Sequence, residues 1–255
     1  MCRRTKMIAG RTLAGQRVVV TGAAGGIGSS ITRGLIEAEV KVVAVDRDHA
    51  RLLTLSQEIR GDIATQLCDV TDQSAVQRVF DDIIKNLGPI DALIHCAGMD
   101  APPGCAWSES PDHWREIIDV DLNAVWWCAR AVLPHMIARR TGRIVLISSV
   151  AARSATINSG ISVAYNAAKA GVNGLTVALS AQVENSGILV NAIAPGPTGT
   201  GTAMTAKELE QYKTVFPLGE GGPEPVTHAC LYLLGPGGDW VSGSVLNVSG
   251  GKFRG

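Results

Sequence analysis

Seven short runs rich in β-branched residues recur along the chain, and this pattern limits the possible folds more than any other feature. Longer segments with helical spacing, such as 72–87 and 111–140, lie between many of these runs. Strands that are apolar on both faces and alternate with helices are typical of a parallel sheet covered by helices on each side. The predicted strands are 16–21, 40–45, 63–68, 90–95, 142–148, 188–193 and 244–248. We therefore predict an α/β fold with a doubly wound parallel sheet and helices on both faces.

Capping residues indicate where two of the helices begin. Thr71 precedes the helical segment 72–87, and Ser110 is followed by Pro111. Serine and threonine can accept a hydrogen bond from free N–H groups at a helix start, and proline is favoured at the first helical position. We expect one helix to start after Thr71 and another after Ser110.

Length and composition favour one folded unit with a small-molecule partner. The 255 residues suit a single α/β domain over 1–255, with 1–14 as a flexible arm. Lysine plus arginine equals aspartate plus glutamate at 23 each, so no strong overall charge favours nucleic acid or an acidic membrane surface. Charges and glycines also interrupt every apolar run before it is long enough to span a membrane.

The cysteines are scattered, with no C-x-x-C pair, which argues against a disulfide framework and against a zinc site. They are Cys2, Cys68, Cys96, Cys105, Cys128 and Cys230. We expect buried thiols, a reducing compartment and a cytoplasmic location.

A glycine-rich loop, "TGAAGGIG" at 21–28, follows the first predicted strand and opens a helix. Glycines allow a tight turn and a close approach to a pyrophosphate, while the start of the helix offers free N–H groups. A P-loop would need a lysine directly after its last glycine, but Ser29 stands there and the next lysine is Lys41. The candidate dinucleotide-binding residues of the loop are Gly22, Gly25, Gly26, Ile27 and Gly28.

Asp46 ends the second predicted strand, eighteen positions after Gly28. A carboxylate there can accept hydrogen bonds from both ribose hydroxyls and repel a 2′-phosphate, which favours NAD over NADP. Arg47 follows directly and could pair with a 2′-phosphate. The alternatives for Arg47 are stacking near the adenine and facing solvent.

Tyr165 and Lys169 stand four positions apart in "AYNAAKAG". That spacing puts both side chains on one face of a helix. A phenol beside an ammonium suits proton transfer, although many helices carry this pair for no such reason. The remaining motifs decide between the two readings.

Taken together, the motifs resemble those of the short-chain dehydrogenase/reductase family over nearly the whole chain. Besides the glycine loop and Y-x-x-x-K, they are "DV" at 69–70, "AG" at 97–98, "ISS" at 147–149, "NAIAPGPT" at 191–198 and "SGSVLNVSGG" at 242–251. The resemblance implies a Rossmann-type domain, usually in a homotetramer, with the adenine near Asp69 and Val70. The further cofactor-binding residues that it implies are Cys96, Ala97, Gly98, Tyr165, Lys169, Pro195, Gly196, Thr198 and Thr200.

The resemblance also implies the chemistry. Tyr165 would exchange a proton with the substrate oxygen while hydride moves to or from the nicotinamide. A free phenol has a pKa of about 10, and Lys169 would favour its ionised form besides holding the nicotinamide ribose. Ser149 would donate a hydrogen bond to the substrate oxygen. Ser148 is the alternative, because a shift of one residue at a strand end turns the side chain to the other face.

Two sites depart from the family pattern. "HCAG" places His95 and Cys96 where two asparagines are usual, and we expect this pair to be buried and structural, with no metal. "VDLNA" places Asp121 where the family has an asparagine linked to the lysine through water, with Asn123 as the alternative. A carboxylate at that position would alter the pH response.

The leading hypothesis is an NAD-dependent alcohol dehydrogenase or ketone reductase that acts through Ser149, Tyr165, Lys169 and Asp121. We expect 152–163 to form a long loop over the substrate and 198–222 to form a lid. Few charges stand in that lid, so the expected substrate is an uncharged or cyclic secondary alcohol. The alternative is a catalytically inactive dinucleotide-binding regulatory or scaffold protein.

Overall fold

Seven parallel strands form one sheet in the computed structural model, which describes residues 12–99, 105–153, 162–199, 205–219 and 221–253. The strands are β1 Arg17–Thr21, β2 Lys41–Asp46, β3 Ile63–Leu67, β4 Ala92–His95, β5 Gly142–Ile147, β6 Ile188–Pro195 and β7 Val245–Val248. Their order across the sheet is β3-β2-β1-β4-β5-β6-β7, and every neighbouring pair is parallel. All seven predicted strands are confirmed. The order reverses between β1 and β4, which is where open α/β sheets bind ligands.

Eight α-helices and one π-helical turn are described around this sheet. The helices are α1 Gly26–Glu37, α2 His49–Glu58, α3 Gln73–Leu87, α4 Pro111–Ile118, α5 Ala124–Arg139, α6 Val163–Val183, α7 Ala206–Val215 and α8 Glu224–Leu234. The π-helical turn, Asp119–Asn123, joins α4 to α5. None of the helices in the described part of the chain is long and apolar enough to cross a membrane.

The two faces of the sheet carry separate cores, because successive strand residues point to opposite sides. Val19 of β1 belongs to the first cluster, with Phe80 of α3 and Met136 of α5. Val18 of β1 belongs to the second, with Ile31 of α1 and Leu233 of α8. Each large side chain buried in this way contributes roughly 1.5–3 kcal/mol. Burial on both faces holds the carboxyl ends of the strands in place under the loops that follow them.

One of the two predicted helix starts is confirmed and the other is wrong by one residue. Ser110 accepts a hydrogen bond from the His113 N–H, and Pro111 is the first helical residue of α4. Asp72, not Thr71, caps α3, because its carboxylate accepts from the N–H groups of Ser74 and Ala75. Both residue types suit this position, and a charged acceptor makes the stronger bond.

Three further predictions are corrected or fall outside the described residues. Residues 1–11 of the predicted arm 1–14 lie outside the described residues, and Leu13 packs against the second core cluster. Cys105 is exposed, whereas Cys68, Cys128 and Cys230 are buried as expected. Parts of the predicted loop 152–163 and of the predicted lid 198–222, including Thr200, lie outside the described residues.

Candidate active site

The glycine loop forms a tight turn between β1 and α1. Gly22 has φ +65°, and a Cβ on it would lie 2.6 Å from backbone atoms of Ala97. A Cβ on Gly28 would collide with the carbonyl oxygen of Gly22. Gly26 has open space beside it, Ile27 packs against the second core cluster, and no described side chain caps α1 after Gly25. The first N–H groups of α1 therefore suit an anion such as a pyrophosphate.

Asp46 lies at the end of β2, partly buried beside the glycine loop. Its Oδ2 accepts a hydrogen bond from the Ala24 N–H at 2.9 Å, and its Oδ1 accepts from the Asp48 N–H at 3.1 Å. The carboxylate thus connects the glycine turn to the loop after β2. Each carboxylate oxygen can accept a second hydrogen bond, so both remain able to bind a hydroxyl.

An open cleft of about 620 Å³ lies next to Asp46 and between the ends of β2 and β3. Its walls include the exposed Arg47 and Asp69. Asp69 Oδ1 accepts hydrogen bonds from the N–H and the hydroxyl of Thr71, while Val70 is buried in the first core cluster. The predicted adenine-binding residues Asp69 and Val70 therefore lie at the carboxyl ends of the strands, in the same half of the sheet as the glycine turn.

Tyr165 and Lys169 lie one turn apart on α6, with the Lys169 Nζ 5.6 Å from the centroid of the Tyr165 ring. Lys169 is 4% exposed, and its Nζ forms an ion pair with Asp121 Oδ1 at 3.0 Å and donates to the Ile147 carbonyl at 3.3 Å. Burial alone would lower the pKa of Lys169, but the charges of Asp121 and Tyr165 outweigh it and raise that pKa. Lys169 therefore carries its positive charge beside the phenol.

The π-helical turn places Asp121, and not Asn123, against Lys169. Asp121 is fully buried, and its Oδ1 also accepts from the Met99 N–H at 3.2 Å. Asn123 instead donates to Asp119 Oδ1 at 2.7 Å. A Cβ on Gly98 would lie 2.7 Å from Asp121 Oδ1, so the residue at position 98 must be small for this contact to form.

His95 ends β4 and is buried beneath this cluster. Its Nδ1 lies 3.0 Å from Thr21 Oγ1, which also accepts a hydrogen bond from the Ala97 N–H at 3.4 Å. Burial, and then the nearby charge of Lys169, lower the pKa of His95 to about 3. The imidazole is consequently neutral near pH 7. Cys96, the next residue, is partly buried and its N–H donates to the Thr21 carbonyl.

The two serines after β5 have different surroundings. The hydroxyl of Ser148 is buried, 3.1 Å from the Lys169 carbonyl oxygen and 2.8 Å from Asn173 Oδ1. Ser149 lies at the start of a short 3₁₀ turn, Val150–Ala152, where its Oγ accepts from the Ala151 N–H at 3.1 Å. The hydroxyl hydrogen of Ser149 remains available to donate, while Ser148 connects β5 to α6.

The predicted cofactor-binding residues Pro195, Gly196 and Thr198 lie at the end of β6 and just after it. The Gly196 N–H donates to the Val248 carbonyl at 2.9 Å, and a Cβ on Gly196 would lie 3.0 Å from Ser249. Thr198 forms an isolated bridge to Gly221. Pro195 and Gly196 are thus held against the end of β7, at the same edge of the sheet as Ser149.

Glu109 and Ser162 belong to the site although no sequence motif marks them. The Ser162 hydroxyl donates to Glu109 Oε1, and Glu109 Oε2 accepts from the Ala164 N–H at 3.4 Å. Ser162 also accepts from the Tyr165 N–H. A carboxylate at a helix N-terminus is stabilising. The Glu109 carboxylate thus connects the start of α6, which carries Tyr165, to the segment before α4.

Comparison with known proteins decides the family. A family model described as short chain dehydrogenase matches residues 16–213. The chain belongs to the short-chain dehydrogenase family. It is 32% identical over 250 residues to 2,3-dihydroxy-2,3-dihydro-p-cumate dehydrogenase of Pseudomonas putida, with 94% of this chain and 95% of the relative covered.

Two other proteins show how far the likeness extends. Galactitol 2-dehydrogenase (L-tagatose-forming) of Cereibacter sphaeroides is 32% identical over 247 residues, covering 94% of this chain and 95% of the relative. The crystal structure of a gluconate 5-dehydrogenase from Burkholderia cenocepacia in complex with NADP and tartrate has a TM-score of 0.87 and 31% identity. That likeness covers 94% of this chain and 96% of the other. The protein is thus an oxidoreductase of this family that binds a nicotinamide dinucleotide.

Proposed function

We propose that this protein is an NAD-dependent oxidoreductase that transfers a hydride between the nicotinamide and a secondary alcohol or its ketone. The observation that carries the proposal is the buried Lys169 ammonium beside the Tyr165 ring on one face of α6. The names of two relatives support the substrate class, because galactitol 2-dehydrogenase and gluconate 5-dehydrogenase denote reaction at a carbon inside a chain.

In the proposed reaction Tyr165 is the general acid and base. Its phenol oxygen takes the proton from the alcohol during oxidation and returns one to the carbonyl oxygen during reduction. The positive charge of Lys169 stabilises the phenolate, and Ser149 donates a hydrogen bond that orients the substrate oxygen. The nicotinamide, when bound, supplies or accepts the hydride.

The residues of the first half of the sheet fit a dinucleotide. The glycine turn leaves room for the pyrophosphate at the start of α1, and Asp46 is the acceptor for the ribose hydroxyls. A 2′-phosphate would meet a carboxylate of like charge at that position, which supports NAD as the cofactor. Arg47, exposed on the wall of the cleft, would favour NADP if Asp46 were removed.

We also propose a homotetramer. The support is apolar surface on α5 and α6, where Trp126, Ile137 and Val177 are 38%, 43% and 55% exposed. Large apolar side chains that stay exposed on helices are typical of a surface that binds another protein subunit. Trp126 is too exposed to belong to the core, so we favour a role in a subunit interface.

A substrate screen tests the proposal. Purified protein is mixed with NAD and a panel of secondary alcohols, and with NADH and the matching ketones, while NADH absorbance is followed. We expect turnover with at least one pair in both directions. Turnover with no pair, although the protein binds NADH, would overturn the proposed function.

A further inference from the structure

Four segments meet at the carboxyl edge beside Ser149: residues 148–153, 195–199, 216–219 and 249–253. The Gly196 N–H donates to the Val248 carbonyl, and the Leu218 N–H donates to the Gly250 carbonyl at 3.0 Å. The end of the described chain therefore lies between the loop after β6 and the segment after α7. Among the described residues of these four segments, Arg153 and Lys252 are the only charged side chains.

Both cations are held by aromatic rings. The Arg153 guanidinium lies 5.6 Å from the centroid of the Phe253 ring, and the Lys252 Nζ lies 5.1 Å from that of Phe216. Phe216 is buried, and it stacks on Tyr212 with a centroid distance of 4.6 Å. Cation–π contacts of this kind leave the charge in place and restrict the side chain to few conformations. Because the side chain is already ordered, the protein loses less conformational entropy when a ligand binds to it.

The backbone that carries Lys252 and Phe253 is fastened as well. The Asn247 side-chain amide donates to the Phe253 carbonyl at 2.6 Å, and the Phe253 N–H donates to Ser249 Oγ at 3.4 Å. The two cations consequently flank a segment that is fixed to β7. Arg153 approaches it from the turn that Ser149 begins, four residues after that serine.

Two carboxylates near the reacting residues, Asp121 and Glu109, have partners of their own. Asp121 is paired with Lys169, and Glu109 accepts from Ser162 and Ala164. Among the described residues of the four segments, Arg153 and Lys252 therefore give a net positive charge. An anionic group is favoured there over a neutral one.

We propose that the substrate is a secondary alcohol or ketone that also carries an anionic group, a carboxylate or a phosphate, which Arg153 and Lys252 bind. The guanidinium can bind either group with two parallel hydrogen bonds, and the ammonium adds a second charge. This inference rests on the proposed function, since it names the substrate class of the same site. It replaces the expectation from the sequence of an uncharged alcohol.

Paired probes test the inference by binding as well as by turnover. The protein saturated with NAD is titrated calorimetrically with 3-hydroxybutyrate and with its neutral amide, and with glycerol 3-phosphate and glycerol. Turnover of each pair is followed by NADH absorbance. The variants are Arg153→Met and Lys252→Met, which keep the apolar stems. Arg60→Met and Lys85→Met are the matched controls. Both side chains are exposed, and they precede the amino ends of β3 and β4.

We expect at least one anionic probe to bind at least about tenfold more tightly than its neutral partner. Each of the two site variants should reduce that preference about tenfold, and the two controls should keep it. Preference for 3-hydroxybutyrate would indicate that the site binds a carboxylate, and preference for glycerol 3-phosphate would indicate a phosphate. Equal binding of the members of each pair, or binding of no anionic probe, would overturn the inference. A preference in binding without turnover of these probes would support the anion site, and only the absence of turnover across the whole substrate screen would contradict the proposed hydride transfer.

Discussion

Two aspartates at the carboxyl edge of the sheet have opposite environments. Asp46, at the end of β2, is partly exposed, and backbone N–H groups of Ala24 and Asp48 occupy one acceptor position on each oxygen. Asp121, in the π-helical turn, is fully buried and paired with the Lys169 ammonium. The comparison shows that the degree of burial determines whether a carboxylate can bind a ligand or only stabilise a neighbouring charge. The exposed one can still exchange water for a ligand, whereas the buried one sets the charge of its neighbour.

Asp46→Ser acts on the first of these two regions, and Lys169→Ala and Asp121→Asn act mainly on the second. The cofactor region comprises the glycine turn and Asp46, and the reaction region comprises Asp121, Tyr165 and Lys169. A variant that changed both regions equally would contradict the division.

The largest of these effects is expected for Lys169→Ala. Loss of the ammonium removes the charge that favours the phenolate, so kcat/KM should fall by about 10²–10⁴. NAD should also bind more weakly, because Lys169 is assigned the nicotinamide ribose. Steady-state kinetics and NAD titration measure the two effects, and unchanged NAD affinity would remove the second role.

A double variant separates this effect from misfolding. Lys169→Ala leaves Asp121 buried without its cation, which costs about 3–5 kcal/mol of unfolding free energy. Adding Asp121→Asn removes that charge and should recover much of the stability but little of the activity. Recovery of activity in the double variant would show that Lys169 serves folding alone.

Asp46→Ser should change the cofactor preference. We expect the wild type to prefer NAD at least about tenfold in kcat/KM, since charge-assisted bonds contribute about 1.5–3 kcal/mol. The serine variant should lose or reverse that preference, with Arg47 then able to meet the 2′-phosphate. Because Asp46 also accepts from Ala24, Asp46→Asn serves as a control that keeps the shape. Equal use of both cofactors by the wild type would contradict the assignment.

Asp121→Asn should shift the alkaline limb of the pH profile. Burial lowers the pKa of Lys169, and Asp121 is among the charges that raise it. Without that carboxylate the pKa of Lys169 falls, so the ammonium is lost at a lower pH than in the wild type. The alkaline limb of kcat/KM should therefore move to lower pH. A limb that stays in place or moves to higher pH would show that Asp121 does not control the charge of Lys169.

His95→Asn should reduce the sensitivity of the fold to acid. The pKa of His95 is about 3 in the folded protein, below its ordinary value of about 6.5. A lowered histidine pKa means that unfolding takes up a proton below pH 6.5, so stability falls as the pH falls. Between pH 7.5 and 4.5 this contributes about 2–3 kcal/mol. Urea unfolding at both pH values should show a loss smaller by that amount in the variant. An equal loss in both proteins would contradict the neutral buried imidazole.

Local patterns predict much of this molecule, and contacts between distant segments account for what they miss. All seven strands follow from apolar runs, because a buried parallel strand needs apolar residues on both faces. The spacing of Tyr165 and Lys169 likewise follows from one helix. In contrast, Glu109 meets Ser162 across 53 positions, and Arg153 contacts Phe253 across 100 positions. Contacts between such distant residues leave no periodic pattern in the sequence.

The choice between Asp121 and Asn123 shows the same limit at short range. A regular helix alone does not say which of two polar residues two positions apart faces α6. The π-helical turn decides it by placing Asp121 inward and Asn123 beside Asp119. Such a turn depends on tertiary packing, and the sequence left both residues open.

The central claim is that Tyr165 moves the proton in a hydride transfer, and Tyr165→Phe tests it most directly. The substitution removes one oxygen and almost no volume. We expect kcat with the best substrate of the screen to fall by about 10²–10⁴, while the NADH dissociation constant, measured by fluorescence, stays within about threefold. Turnover within tenfold of the wild type, with NADH bound normally, would contradict the assignment of Tyr165 as the general acid and base.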